Sequence, residues 1–275
     1  MARWLILLLA TLGFAFSAKA LAQEPIRIGG TGMGSLLTQR VLEADAKSLP
    51  KVRAMVILPP LGSNGGLRAL ADGSIQVAIV SIPSSYPAKS ANADNFKSIP
   101  WARTPFIFTG RDIASGTKLT LGQVADIYSG RIIRWPGGEQ IRLVTRTDRE
   151  SDTRLLRAIS PEIDAAVTLA RKRIGMPFAE TDFDNQDLLE KSPGSFGVIG
   201  LGQLLLSQSA LKPVVLDGIA PMPEGLLAAT YRHEKPLYLV VSKTPSAATR
   251  EFVQYLQSPE VMTFLAGFGF IPMPR

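Results

Sequence analysis

The chain has 275 residues, 30 basic side chains against 23 acidic ones, a single histidine and no cysteine. Without cysteine there is no disulfide, thiol nucleophile or thiolate metal site, and one histidine with no evident partners builds neither a histidine-rich zinc centre nor a Ser-His-Asp triad. The net charge of +7 is scattered and never gathers into basic blocks interleaved with aromatics, which suits anionic partners in general and argues against nucleic acid.

The N-terminus reads as an export signal. Arg3 supplies a basic start, Leu5 to Phe16 is almost unbroken apolar, and Ala20-Leu21-Ala22 fits a small-x-small cleavage site before Gln23. An apolar run of about a dozen residues is too short to cross a hydrocarbon core as a helix, and the absence of cysteine removes a lipid anchor. Residues 1–22 are therefore expected to be removed and the remainder to work in the periplasm.

From there strands and helices alternate. Ile26-Arg27-Ile28 is a strand entering a glycine-rich turn, Gly29-Gly30-Thr31-Gly32-Met33-Gly34, after which Leu36, Leu37, Val41 and Ala44 recur at helical spacing. Val52 to Leu58 is a second strand stopped by Pro59-Pro60, Gly62 to Ala71 a short helix, and Ile75 to Val80 a buried strand. This βαβαβ order implies a parallel sheet with helices on its faces. A second unit begins near Pro105. It holds a strand at Phe106-Ile107-Phe108, a helix over Leu121 to Tyr128, a strand over Ile141 to Thr145 and helices over 151–159 and 162–173, then strands over 196–199 and 213–216. After a Pro/Gly-rich passage from Gly218 to Gly225 the chain returns to a strand over Leu237 to Val241 and helices over 247–256 and 259–265.

Three strand-to-helix turns carry small or hydroxyl residues: Met33-Gly34-Ser35, Gly62-Ser63-Asn64-Gly65 and Ser151-Asp152-Thr153. A helix N-terminus offers unpaired N–H groups and a partial positive charge, so it holds an anion without a cationic side chain. Each alone reads equally as a simple helix cap. Three at successive turns point to one ligand, because ligands of open α/β sheets sit at the C-terminal ends of the strands. The third turn is flanked by Arg146, Arg149 and Arg154, and a guanidinium grips an oxyanion through two parallel hydrogen bonds. The same arginines could instead pair with Asp148, Glu150 and Asp152. The pattern Gly30-x-Gly32-x-x-Ser35 is a near miss to a dinucleotide fingerprint, but the next strand ends Leu58-Pro59-Pro60 where an acidic residue should meet the ribose. His233, in Tyr231-Arg232-His233-Glu234-Lys235, reads as a solvated loop residue.

Several segments taken together resemble the periplasmic phosphate-binding proteins of phosphate ABC transporters over about residues 26–274. They are Gly62-Ser63-Asn64-Gly65-Gly66, Leu119-Thr120-Leu121 through Ile127-Tyr128-Ser129-Gly130-Arg131-Ile132 to Trp135, and the Arg-to-Ser-x-Thr element at 146–153. Gly197-Val198-Ile199-Gly200, Leu216-Asp217-Gly218, Lys235-Pro236-Leu237-Tyr238 and Phe252 to Pro259-Glu260 follow in the same order. The resemblance implies a two-lobe α/β periplasmic binding protein of type II, each lobe a mostly parallel sheet flanked by helices, joined by two crossover strands. Lobe one would be 23–104 with 236–275, and lobe two 105–235. It further implies capture of a small oxyanion, phosphate first, for an ABC importer and its permease, by a monomer with no cofactor, no metal and no catalytic residue.

Carried over residue by residue, Ser63 would give its hydroxyl and N–H to the anion, and Met33, Gly34 and Ser35 would give N–H donors and a hydroxyl. Ser151 and Thr153 would bind from lobe two, with Arg146, or else Arg149, as the cation. Two positions depart from the family. The aspartate that ends the strand after the Ser63 helix, and accepts the proton of hydrogen phosphate, is here Ser81, and the family's Ser-Gly-Thr is here Ser151-Asp152-Thr153. Either Asp152 has taken over as proton acceptor or the ligand is another oxyanion, such as a phosphonate, sulfate, molybdate or tungstate. A third possibility is that Asp152 caps its helix and pairs with Arg149 or Arg154 outside the pocket. A sensor would need the same pocket as a transporter subunit, whereas a hydrolase using Ser63 or Ser151 would lack a base.

Overall fold

The computed structural model describes residues 24–44, 53–82 and 95–274, so the export signal expected at 1–22 lies outside the described residues. Among them no helix is long and apolar enough to cross a membrane. The chain opens with β1 (Ile26–Gly30), α1 (Gly32–Ala44), β2 (Ala54–Val56), α2 (Gly62–Ala71) and β3 (Val77–Val80). β1 pairs in parallel with β2 (Ile28 beside Val56) and with β3 (Ile28 beside Val77), the arrangement that helical crossovers impose. Along β3, Val77 and Ile79 enter one core with α1 residues Leu37 and Val41, while Ala78 and Val80 enter another with Leu67 and Leu70 of α2. Burial on both faces is why this strand is apolar without alternation.

β4 (Phe96–Gly110) then runs for 15 residues. It is followed by β5 (Lys118–Leu119), α3 (Leu121–Ser129), β6 (Arg142–Leu143), β7 (Thr145–Arg146), α4 (Ser151–Arg157), α5 (Pro161–Ala170), β8 (Phe178–Ala179), α6 (Asp182–Lys191), β9 (Ser195–Gly200), α7 (Leu201–Leu206), β10 (Lys212–Pro213), β11 (Val215–Leu216) and α8 (Pro223–Leu227). β12 (Glu234–Ser242), α9 (Ala247–Leu256), α10 (Pro259–Ala266) and β13 (Ile271–Pro272) close the chain. The main sheet has the order β2-β1-β3-β12-β4-β9-β6. β12 lies antiparallel to β3 (Tyr238 beside Val80) and to β4 along its length, from Glu234 beside Pro105 to Ser242 beside Phe96. Beyond Pro105, β4 turns to β9, with Phe106 beside Gly200 and Thr109 beside Gly197, and β9 pairs in parallel with β6.

β4 therefore belongs to both lobes, and β12 runs beside it through the waist. Its second half feeds two cores by the two-residue period of a strand. Phe106 and Phe108 join Tyr128 and Phe196, and Ile107 joins Val144, Leu189 and Ile199. The parallel pairs expected in each lobe are present, whereas the two strands crossing the waist run antiparallel to their neighbours.

Three differences from the sequence reading have physical causes. The strand at 106–108 is only the end of β4, because Pro100 and Pro105 break the apolar pattern that marks a strand. The ladder accommodates them with a register shift at Leu237/Tyr238, opposite Trp101, whose indole N–H donates to the Leu256 carbonyl at 2.8 Å. The strand expected at 141–145 is split, β6 joining β9 and β7 joining β8 (Thr145 beside Phe178). Finally, α6 and α7 were not expected. α6 is announced by a capping box in which the Thr181 hydroxyl accepts the Asp184 N–H at 3.1 Å and the Asp184 carboxylate accepts the Thr181 N–H at 3.0 Å.

Phe196 is the hub of the second core. It stacks on Phe108 at 5.8 Å and meets Tyr128 and Trp135 edge-on at 6.2 and 5.6 Å. Phe196→Ala should cost about 3–5 kcal/mol of unfolding free energy, to be measured by denaturant titration; a loss below about 1 kcal/mol would mean that this core collapses to fill the gap.

Candidate functional site

The two lobes meet where α1, α2 and α4 begin. α1 starts at Thr31, whose hydroxyl accepts the Gly34 N–H at 3.0 Å and whose carbonyl accepts the Ser35 N–H at 2.8 Å. Of the three residues expected to offer N–H groups, Gly34 and Ser35 thus spend theirs on the helix cap. Met33 alone turns outward, donating to Asp182 Oδ2 at 3.0 Å. Gly32 makes this approach possible, since a Cβ there would stand 2.6 Å from the Asp182 Cβ. The Ser35 hydroxyl is buried and has no hydrogen-bond partner.

α2 follows Leu61, which makes no side-chain cap, so Ser63 does not serve as the helix cap. The buried Ser63 hydroxyl instead accepts the Ser81 N–H at 3.2 Å, leaving its own proton for another acceptor. The Ser81 hydroxyl, just beyond β3, is fully buried and without a partner. From the opposite lobe, the Glu150 oxygens lie within 3.7 Å of where a Gly62 Cβ would stand, and Asn64 Nδ2 donates to the Arg149 carbonyl at 3.0 Å.

At the centre lies a buried ion cluster. Arg146, at the end of β7, donates from one terminal nitrogen to Asp182 Oδ1 at 2.7 Å and Asp152 Oδ2 at 3.0 Å, and from the other to Glu150 Oε2 at 2.9 Å. Lys235, delivered by the waist strand β12, is fully buried, with Nζ 2.7 Å from Asp152 Oδ1 and 3.0 Å from Asp182 Oδ1. Ser151 and Thr153 are buried in the first turn of α4 on either side of Asp152. Asp152 pairs with Arg146 and Lys235. With both its oxygens turned to cations, it is not placed as a free proton acceptor, and no side chain caps α4.

The electrostatics follow from burial and pairing. Burial alone would raise the Asp182 carboxyl, but Lys235, Arg146 and the Met33 N–H together hold it well below the usual carboxylate range. Burial likewise opposes the charge on Lys235 and Arg146, and is outweighed for Lys235 by Asp152 and Asp182, and for Arg146 by Asp182, Asp152 and Glu150; both cations are raised. Glu150 goes the other way. Its burial, reinforced by Asp182 and Asp152, exceeds the attraction of Arg146 and lifts its carboxyl above the ordinary value. Two cations thus face three carboxylates, and Glu150 takes a proton more readily than Asp182. Behind Arg146 a cavity of about 20 Å³ lies between Tyr128, Asp152, Thr153 and Asn185, room for a water and little more. The Tyr128 hydroxyl and Arg146 Nε are both buried without a partner, and burial pushes the Tyr128 hydroxyl's pKa up.

Sequence reasoning missed Asp182, Lys235 and Thr31, whereas the pairing of Arg146 with Glu150 and Asp152 was one of its two readings of the arginines. Thr31 stands three residues before Gly34 at a helix start, a readable N-cap position. Asp182 sits inside the Thr-x-x-Asp capping signature. Nothing in the local pattern marks Lys235, which reaches the cluster only because β12 crosses the waist. His233 is half-buried rather than solvated, packing edge-on against Tyr231 at 5.5 Å; burial lowers its pKa, with Asp217 opposing. Among the described residues no group of three or more His, Cys, Asp or Glu could hold a metal ion.

Two outcomes test the cluster. Arg146→Met leaves three carboxylates facing Lys235 alone and should cost about 3–5 kcal/mol of stability, read by denaturant unfolding; a loss within about 0.5 kcal/mol, typical of a surface change, would show that the cluster is not a unit. A raised carboxyl binds its proton more tightly in the folded state, so the stability tied to Glu150 is present below its ordinary value of 4.5 and is lost as pH rises through the raised one. Wild type should therefore lose more melting temperature than Glu150→Gln between weakly acidic and neutral pH, and parallel profiles would overturn the assignment.

The chain matches the PBP superfamily domain over residues 16–260. No curated protein matches it in sequence. Among solved structures it is similar to a putative phosphate ABC transporter substrate-binding protein with bound phosphate from Clostridium perfringens, at 18% identity and a TM-score of 0.74 over 91% of this chain and 100% of that one. It is also similar to an ABC-type phosphate transport receptor from Vibrio cholerae (19% identity, TM-score 0.62, 90% and 100% covered) and to a phosphate-binding protein from Stenotrophomonas maltophilia (17%, 0.64, 91% of each chain). At such identities the likeness is one of fold: two α/β lobes joined through a shared waist. By the extent of its match the chain belongs to the PBP superfamily.

Proposed function

We propose that this chain is a periplasmic solute-binding protein that captures a small oxyanion, phosphate first, between its two lobes for an ABC importer. One observation carries the reading: the first turn of α1 reaches Arg146 of the opposite lobe through Asp182, and that of α2 reaches it through Glu150, beside buried hydroxyls with protons to give. The α1 N-terminus, the Ser63 hydroxyl proton and the unpartnered hydroxyls of Ser35 and Ser81 come from the first lobe, and Arg146 with the first turn of α4 comes from the second. Buried polar groups without partners are few in native proteins and call for an acceptor. The similar structures named for phosphate support the choice of ligand.

On this reading lobe one comprises residues 23–104 and 236–275, lobe two comprises 105–235, and residues 1–22 direct export. The ligand residues are Met33, Ser35, Ser63, Ser81, Arg146, Ser151 and Thr153, with Gly34 shaping the turn. A permease then receives the closed, loaded form. The chain acts by binding and does no chemistry on its ligand, for no base stands beside Ser63 or Ser151 in the contacts described.

A thermal-shift screen over phosphate, phosphonates, sulfate, molybdate and tungstate tests this. A ligand at one hundred times its dissociation constant adds about 2.7 kcal/mol to the folded state, so one of them should raise the melting temperature clearly, and no shift with any would overturn the reading. Ser63→Ala should then weaken the responding anion by about 1–3 kcal/mol, the cost of leaving one of its oxygens short of a donor; unchanged affinity by calorimetry would remove Ser63 from the site.

A further inference from the structure

Two of the donors that the proposed oxyanion would use, the Met33 N–H and Arg146, are already turned on a carboxylate of the chain itself, with Lys235 beside them. Asp182 Oδ2 accepts the Met33 N–H at 3.0 Å, and Oδ1 accepts Arg146 at 2.7 Å and Lys235 at 3.0 Å. A helix N-terminus, a guanidinium and an ammonium are the donor types by which proteins hold small oxyanions. The approach is built in. Asp182 is the first residue of α6, fixed by the Thr181–Asp184 capping box and by Gln203 Nε2, which donates to the Asp182 carbonyl at 3.0 Å. Gly32 leaves the space that the side chain occupies. The carboxylate reaches out of one lobe to the first turn of a helix in the other, so the contact spans the cleft.

We propose that Asp182 is a tethered anion that holds the two lobes closed and that a free oxyanion must displace, so that this residue sets the affinity of the site. The inference rests on the oxyanion reading above and deepens it. Charge supports displacement over addition. Arg146 and Lys235 already face Asp152, Asp182 and Glu150, and a further anion placed among three carboxylates would meet net repulsion. With Asp182 withdrawn, two cations face two carboxylates, and an incoming oxyanion restores the balance that the tethered one provided. The cavity of about 20 Å³ beside Arg146 has room for a water-sized molecule only, too little for an oxyanion to enter next to the carboxylate there. A tethered competitor lowers apparent affinity by the fraction of molecules that are open and competent.

The test compares wild type with Asp182→Asn, which keeps the shape and removes the charge, by calorimetric titration with phosphate and with sulfate at pH 7.5, and by small-angle scattering with and without phosphate. The variant should bind the responding anion about tenfold more tightly or better, the factor expected if roughly nine molecules in ten are self-closed. Its radius of gyration should shrink on adding phosphate, while that of wild type, already closed, should not change. Wild type binding as tightly as the variant would overturn the tethered anion and leave the oxyanion reading standing. No binding by either protein at millimolar anion would overturn both. Should the variant not fold, scattering of wild type at saturating phosphate still decides: an unchanged radius supports the inference, and a contraction overturns it.

Discussion

Arg146 and Lys235, both buried, are held at the waist by Asp152, Asp182 and Glu150, and the rest of the molecule is arranged around that cluster. Burying two cations is costly unless each is paired and hydrogen-bonded. The pairing draws on widely separated parts of the chain: the end of β7, the first turns of α4 and α6, and the crossover strand β12. None of these can shift without unpairing a buried charge. The cluster therefore fixes where α1 meets α6, and with it the direction of the Met33 N–H.

The waist gives the cluster its place. β4 and β12 run side by side through it, and their ladder ends at Glu234 beside Pro105 with Lys235 next to Thr104. A lysine on such a strand sits between the two lobes whichever way they move. Each lobe has most of its core to itself, with Leu206 of α7 reaching into that of the first and Ile271 of β13 into that of the second. Polar contacts cross the cleft from Met33 to Asp182, from Asn64 to the Arg149 carbonyl and from Glu150 to Gly62, beside apolar packing of α7 against α1 and Phe270. Lobes joined by paired strands are the structural elements of hinge closure.

The Asp152 position shows how one substitution is absorbed. The resemblance sets a glycine there, and an aspartate in the first turn of α4 would by itself lie near a bound anion. Folding instead turns both of its oxygens onto Arg146 and Lys235. Lys235 supplies the second cation that makes a second buried carboxylate tolerable. The two residues are 83 positions apart, and each also has a second partner, Asp182 for Lys235 and Arg146 for Asp152.

Much of this was legible in one dimension. Strand-helix alternation from Ile26 onward forced parallel pairing of β1, β2 and β3, because parallel neighbours need crossovers. The bounds of α2 and the placing of α3, α9 and α10 were read from the sequence pattern. Ser63, Arg146 and Ser151 could be selected because hydroxyls and an arginine at helix starts have a chemistry that does not depend on distant residues. The tertiary structure alone decided how those residues are used. Thr31 claimed the N–H groups of Gly34 and Ser35, Asp182 arrived at Met33 from 149 residues away, and Lys235 entered the cluster from a strand whose local sequence says nothing of charge pairing. Local patterns encode which groups can bind, since propensity and capping act within a turn or two of chain. Which partner each group finds is a matter of long-range packing, where the cost of leaving a buried charge unpaired outweighs any local preference.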